Sequence, residues 1–443
     1  MEVNFCTRDY IKLRIRHNLF KLESRWYYDS MKDTLQKYFQ KKSIYSPNDC
    51  VKVRERLQKL SGVCSAPQVA VVIPVKNEYP GIKETLTSLS FSAGKAPLSA
   101  SAGRTSCNPL HVVCVVNSRE NDDGDVKQNN LQMLSFLSSC CYKNLFISVI
   151  DRTSSGLELP EKEGVGLARK IGMDYALACG AEVIACMDAD TLVAENYAEE
   201  LFSFAENHGN RSFALVPFRH QKAASEKLQQ AINAYENYML LHSEKLREAG
   251  TPYWAPVLGP SLVCTAEGYV CCGGMNKRVS GEDFYFLQSL EKIEITAGCG
   301  KFRSTPANNV VDHTQTRAPC STSFYYSPHF LKTEVYPSAR ISDRVLFGTG
   351  PKLRQLTEKS SQQTIECPIY SERCYEAIKE FIEKKESCQN ELAGFMNKEN
   401  FLSIWKKICE NNPSNLNGRE TAFHIWFDGL KIIRAIHAIE AVL

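Results

Sequence analysis

Between Val69 and Asp190 the chain repeats one pattern: a short apolar run, a polar turn, then apolar residues at helical spacing. The apolar runs are Val69 to Val75, His111 to Val116, Leu145 to Ile150 and Val183 to Met187. Between them, Ile82, Leu86 and Leu89 recur at spacings of three and four, and helices are predicted over about 126–138 and 165–178. Strands separated by crossover helices argue for an α/β fold with a parallel sheet. The last run ends in Asp188-Ala189-Asp190. Ionised carboxylates at the end of a buried strand are costly unless paired or holding a metal, and strand carboxyl ends open into the ligand crevice of such sheets.

Other elements are expected around this core. Residues 1–66 read as a helical extension with an aromatic cluster, Trp26-Tyr27-Tyr28. After Asp190 come a short helix from Tyr197, a strand over Phe213 to Phe218, a long helix over Glu226 to Ala249 and a strand-like run over Leu258 to Cys264. Ser90 to Asn108 and Thr296 to Ser327 read as loops, and residues from 351 onward as charged helices. The resulting division is 1–66, 67–350 and 351–443. In the last segment Trp405, Trp426, Ile432, Ile433, Ile436 and Ile439 suit a packing face. The alternative expectation is docking to a partner or a membrane surface.

A formal net charge of +3 over 443 residues gives no argument for nucleic-acid binding. No apolar run approaches the roughly 20 residues of a membrane-spanning helix. The 18 cysteines are scattered without zinc-finger spacing, and Cys114, Cys186 and Cys264 sit in apolar strands. Buried reduced thiols, with no apolar leader at the N-terminus, give a cytoplasmic expectation.

Four groups of residues could carry chemistry. Asp188 and Asp190 suit Mg²⁺ or Mn²⁺ sharing its shell with substrate phosphates, although an Asp-x-Asp can also cap a following helix. Glu282-Asp283 at a helix start is either dipole capping or a general base at Asp283 with Glu282 positioning an acceptor; Gly273-Gly274 upstream would let backbone approach a ligand. The strand ends Pro74, Lys76, Asn77, Glu78, Asn117, Asp122 and Asp151 should share an edge with Asp188 and could read a nucleoside. Arg340 and Arg344, followed by Gly348-Thr349-Gly350, suit an anionic ligand such as a diphosphate or form a surface salt-bridge cluster. His313 is a further candidate metal ligand.

With these pieces assembled, residues 67–350 resemble the family 2 glycosyltransferases of GT-A fold. Val71 to Glu78 looks like the family's opening strand and nucleotide-contacting turn. Gly166-Leu167-Ala168-Arg169-Lys170-Ile171-Gly172 resembles its G-x-A-R-N-x-G segment, with Lys170 in place of Asn. Val183 to Asp190 is similar to its D-x-D strand, and Gly273-Gly274 with Gly281-Glu282-Asp283 to its acceptor-side turn and E-D motif. The resemblance implies a Rossmann-like mixed sheet with helices on both faces, plus helical N- and C-terminal extensions. It implies transfer of a hexosyl group from a nucleoside-diphosphate sugar to a carbohydrate or lipid-linked acceptor, with inversion. Asp283 would be the base, Asp188 and Asp190 the metal ligands, and Glu78, Asn117 and Asp151 neighbours of the nucleoside. Arg169 would lie by the nucleotide base or the diphosphate. Such enzymes serve cell-envelope or polysaccharide synthesis, here as a soluble protein or one peripheral to the inner face of a membrane. The Q-x-x-R-W motif and membrane helices of processive synthases are missing from the sequence.

Two other classes compete. A haloacid-dehalogenase phosphatase uses a strand-end Asp-x-Asp, but Leu192 stands where that motif has Thr or Val, and three strands precede this one. A non-catalytic nucleotide-binding or scaffold relative keeps the fold without turnover.

Overall fold

In the computed structural model, which describes residues 24–61, 67–96, 109–301, 327–342, 348–359, 365–385 and 391–443, helices α1 (Ser24–Lys41) and α2 (Pro47–Ser61) precede the sheet. Then β1 (Val69–Val75), α3 (Ile82–Lys95), β2 (Leu110–Asn117), α4 (Gly124–Ser139), β3 (Leu145–Arg152), α5 (Val165–Cys179) and β4 (Val183–Cys186) alternate as expected. They are followed by β5 (Leu192–Val193), α6 (Tyr197–Asn207), β6 (Phe213–Leu215), α7 (Glu226–Glu248), β7 (Leu262–Thr265), α8 (Ala266–Cys271), α9 (Glu282–Lys301) and β8 (Val335–Tyr336). The contacts divide the chain into two units, 1–232 with 257–290 and 329–365, and 233–256 with 291–328 and 366–443.

The first unit holds a six-stranded sheet in the order β3-β2-β1-β4-β7-β6. β1 pairs in parallel with β2 on one side (Val71↔Val112) and with β4 on the other (Val71↔Ala185). β7 runs antiparallel to β4 and to β6, so the sheet is mixed. β1 and β2 read as continuous apolar runs because both faces are covered. On one face Val69, Val71, Ile73 and Val75 join Leu86 and Leu89 of α3, Met133 of α4 and Phe204 of α6. On the other, Gly172 of α5 lies so close that a Cβ there would be 2.4 Å from Val72 Cγ1.

This topology places the site. The chain moves outward from β1 to β2 and β3, then returns through α5 to β4 on the far side of β1. The strand order therefore reverses between β1 and β4, and the loops leaving their carboxyl ends flank the crevice where open α/β sheets bind ligands. Those loops are Lys76-Asn77-Glu78 and Asp188-Ala189-Asp190.

Several element boundaries differ from expectation. Helix α3 takes in Ser90 to Lys95, whose small residues read as the start of a loop; Ser92 is buried there and accepts a hydrogen bond from the Ala198 N–H of α6. Helix α9 likewise continues through Thr296, whose Oγ1 donates to the Lys292 carbonyl at 2.7 Å. Tertiary packing overrides weak local propensity in both places. The run from Leu258 is a strand only from Leu262, since Gly259–Ser261 forms a 3₁₀ turn.

The second unit has its own core, in which Phe381, Phe401, Phe423 and Phe427 pack edge-on around Ile432, Ile436 and Ile439. Trp405 and Trp426 lie against it, partly buried, so the apolar face of the C-terminal helices is used in packing. Among the described residues no helix is long and apolar enough to cross a membrane. Glu291 is buried in this unit with no hydrogen-bond partner on Oε1, and burial raises its carboxyl well above its ordinary value. The folded state then binds this proton more tightly than the unfolded chain does. Its contribution to stability is complete below the ordinary carboxylate value and is lost as pH rises toward the raised one. Glu291→Met is therefore expected to stabilise the protein by about 1–3 kcal/mol, the cost of an unsatisfied buried polar group. Urea unfolding should show the gain growing from pH 5 to pH 8.

Candidate functional site

The site is built around Arg169 of α5. Its position follows from two glycines three residues either side of it, which let the helix approach its neighbours closely. A Cβ on Gly166 would lie 2.6 Å from the Arg278 carbonyl oxygen, and the Gly166 N–H donates to that same oxygen at 3.0 Å. Gly172, one turn beyond Arg169, abuts Val72 and Val115 of the sheet. The helix is thus wedged between the sheet and the segment leading into α9.

From there Arg169 reaches both acidic motifs. Its Nη2 donates to Asp188 Oδ1 at 2.5 Å, its Nε to Glu282 Oε1 at 3.0 Å, and its Nη1 to the Met187 carbonyl at 3.2 Å. Asp188, at the end of β4, and Glu282, in the first turn of α9, are 94 positions apart in sequence and share one guanidinium. Arg169 is buried; burial opposes its charge, but Asp188 and Glu282 outweigh it and hold the guanidinium firmly protonated. Gly259 closes the other side of the pair. A Cβ there would fall 2.2 Å from Arg169 Nη2 and 3.3 Å from Asp188 Oδ1.

Beside Glu282, Asp283 accepts the Phe284 N–H on its Oδ1 at 2.8 Å. Burial is the largest influence on it and pushes its carboxyl up; the Phe284 N–H and Arg169 pull the other way, and the charge of Asp188 adds to the rise. Burial also raises Glu282, to about 7, helped by Asp283 and opposed by Arg169. Two adjacent carboxyls held above the ordinary range, beside a buried cation, suit proton transfer near neutral pH.

Asp190 belongs to a second charged cluster. Its Oδ2 lies 2.7 Å from Arg340 Nη2, and the same nitrogen contacts Glu78 Oε1. Asp190 is followed by β5 and not by a helix, so the expected alternative of helix capping does not describe it. β5 pairs antiparallel with β8, Leu192 facing Tyr336 and Val193 facing Val335, and this pairing carries Arg340 toward the strand ends. Gln221 Nε2 ties the two segments by donating to the Asp190 and Tyr336 carbonyls at 2.8 and 2.7 Å.

Among the described residues no three His, Cys, Asp or Glu side chains gather as a metal cage. Asp188 and Asp190 do offer hard carboxylate oxygens, 35% and 24% exposed, at one crevice. That donor set fits a Mg²⁺- or Mn²⁺-sized cation that completes its shell with phosphate oxygens and water. His313 and Arg344 lie outside the described residues.

The strand-end residues are close by but mostly engaged. Lys76 Nζ pairs with Asp122 at 2.6 Å. Burial pulls Asp122 up, but the Arg119 N–H and Lys76 hold it below its ordinary value. Asn117 is buried and donates to the Val75 and Val115 carbonyls, which makes it a brace between strand ends. Asp151 accepts from Ser154 Oγ at 2.5 Å and from the Thr153 and Ser154 N–H groups. Pro74 lies within β1; Asn77 sits in the left-handed region at φ 56°, tolerable for Asn, and its N–H donates to Asn130.

No protein-family model and no curated protein sequence matches this chain. Solved structures similar to it include S. aureus TarS 1–349, at 16% identity over 51% of this chain and 55% of that one, TM-score 0.30. The chain therefore spans about half the length of that TarS structure. TarS 1–349 in complex with UDP-GlcNAc matches at 12% identity over 85% and 91% of the two chains, TM-score 0.35. Mannosyltransferase PcManGT from Pyrobaculum calidifontis, in complex with GDP-Man and Mn²⁺, matches at 15% identity over 59% and 60%, TM-score 0.31.

Some residues were not singled out from sequence. Gly259 and Gln221 carry no motif, since their importance lies in contacts made across the fold. Gly273 and Gly274 were expected to admit a ligand. Both have positive φ, and what approaches them is the end of α1 and the residue after it: a Cβ on Gly274 would lie 2.0 Å from the Tyr38 hydroxyl, and one on Gly273 2.7 Å from Lys42 Nζ. Lys170, the departure from the family pattern, also faces α1. It donates to Tyr38 Oη at 2.9 Å and pairs with Asp174 at 3.2 Å, while Tyr38 and Tyr269 both donate to Asp174 Oδ1. The i, i+4 spacing of Lys170 and Asp174 was the available signal.

Proposed function

We propose that the chain is a glycosyltransferase that moves a hexosyl group from a nucleoside-diphosphate sugar to an acceptor hydroxyl with inversion. The observation that carries this reading is Arg169, which joins the strand-end carboxylate Asp188 to the Glu282-Asp283 pair in one site. The diphosphate lies at the β1–β4 crevice, and the nucleoside along Lys76-Asn77-Glu78, Asp122 and Asp151. Asp188 and Asp190 would hold Mg²⁺ or Mn²⁺. When bound, the cation supplies charge neutralisation on the departing diphosphate.

Asp283 takes the proton from the acceptor hydroxyl as its oxygen attacks the anomeric carbon from the face opposite the diphosphate. The bond from that carbon to the diphosphate oxygen breaks, and its electron pair leaves with the nucleoside diphosphate. Glu282, fixed by Arg169, keeps the α9 start in place and hydrogen-bonds the acceptor. The acceptor is a carbohydrate or a lipid-linked sugar.

A panel of UDP- and GDP-sugars with Mn²⁺ tests this. The expected result is slow release of nucleoside diphosphate that accelerates with a carbohydrate acceptor. A phosphatase would release inorganic phosphate, and a scaffold neither product.

A further inference from the structure

The metal reading leaves one feature unused: a single nitrogen, Arg340 Nη2, contacts both Glu78 Oε1 and Asp190 Oδ2. Glu78 comes from the turn after β1 and Asp190 from the end of β4, so this nitrogen bridges the two lips of the crevice. Glu78 is 5% exposed and Arg340 is 42% exposed, so the Arg340 head group can leave into solvent or toward a ligand. Its backbone is held upstream, where β8 pairs with β5 and the Gln221 N–H donates to the Pro337 carbonyl at 2.9 Å. Only side-chain rotation is then needed to move the guanidinium.

We propose that Arg340 is an exchangeable internal cation. Without donor it holds Asp190, one of the two carboxylates that would take a divalent cation, against Glu78. With the donor it transfers to the diphosphate. This deepens the nucleotide-sugar reading and rests on it. The two states differ in what offsets the charge of Asp190. One guanidinium offsets part of two carboxylates in the empty site. A divalent cation on Asp188 and Asp190 would take over the charge of Asp190 in the loaded site, freeing the guanidinium for an anion that matches its fork of donors. Arg340 therefore opposes binding of the metal alone and favours binding of metal with diphosphate, two effects of opposite sign from one residue.

The test compares the full chain with Arg340→Gln, using Mn²⁺ alone, followed by the free-ion spin-resonance signal, and inorganic pyrophosphate or UDP with Mn²⁺, followed by calorimetry. Arg340→Gln is expected to tighten Mn²⁺ alone and to weaken pyrophosphate and UDP in the presence of Mn²⁺, each by about tenfold, the size of one charged hydrogen bond. Arg340→Lys, which keeps the buried Glu78 compensated if the Gln variant does not fold, is expected to shift both affinities in the same directions by less. Unchanged or weaker Mn²⁺ binding in the folded variant overturns the exchange, while retained Mn²⁺-dependent UDP binding leaves the transferase reading standing. No UDP or pyrophosphate binding by the unsubstituted chain overturns both.

Discussion

Asp283→Asn is expected to lower turnover by about 10²–10⁴-fold, the range that loss of a positioned general base costs, while nucleoside-diphosphate affinity stays unchanged. The separation follows from geometry. Asp283 lies at the start of α9, on the Glu282 side of Arg169, whereas the proposed phosphate contacts belong to the ends of β1 and β4. The pH profile supplies a second readout. Burial holds the Glu282-Asp283 pair above ordinary carboxylate values, with Glu282 at about 7. A base must be ionised, so turnover should rise with pH through a limb lying above the usual carboxylate range. Stability runs the other way. An acid with a raised folded-state value contributes most at low pH and loses that contribution as pH climbs toward that value. The unsubstituted protein should thus become more active and slightly less stable over the same interval; Asp283→Asn should flatten the activity trend and only lessen the stability trend, because burial still raises Glu282. Steady-state turnover and urea midpoints between pH 5 and pH 8 measure this.

Arg169→Met is expected to destabilise the protein by about 3–5 kcal/mol, the usual cost of stripping one partner from a buried ion pair. Glu282 is buried, and the substitution removes its counter-ion. Asp188 is more exposed and contributes less, because water screens it. The loss should be smaller at pH 5 than at pH 8, since Glu282 can take up a proton once its cation is gone. Arg169→Lys should not restore stability, because one ammonium cannot reproduce the Nε, Nη1 and Nη2 bonds to Glu282, Met187 and Asp188. Differential scanning calorimetry at the two pH values reads both effects.

The fold was legible because its evidence is local. The apolar runs of β1, β2 and β4 are continuous, and the helices between them repeat at helical spacing, so class and alternation could be read directly. The antiparallel entry of β7 could not be, because a four-residue apolar run reads the same whichever way it pairs. At the site, Asp188, Arg169 and Glu282 were each visible as parts of motifs, and their convergence on one guanidinium depended on α5 reaching the segment before α9. Gly166 permits that approach through backbone contact at residues 276 and 278, which no spacing rule encodes. Gly273-Gly274 depends on tertiary contact in the same way. A close approach was expected there, and the neighbour on Gly274 is the Tyr38 side chain of α1.

The most direct test of the account is a crystal structure of the protein with Mn²⁺ and UDP. The diphosphate and cation should lie against Asp188 and Asp190, with the β-phosphate facing the Glu282-Asp283 end and Arg340 turned onto the phosphates. Nucleotide bound away from the β1–β4 crevice, or bound there with its terminal phosphate pointing away from α9, would contradict the shared site.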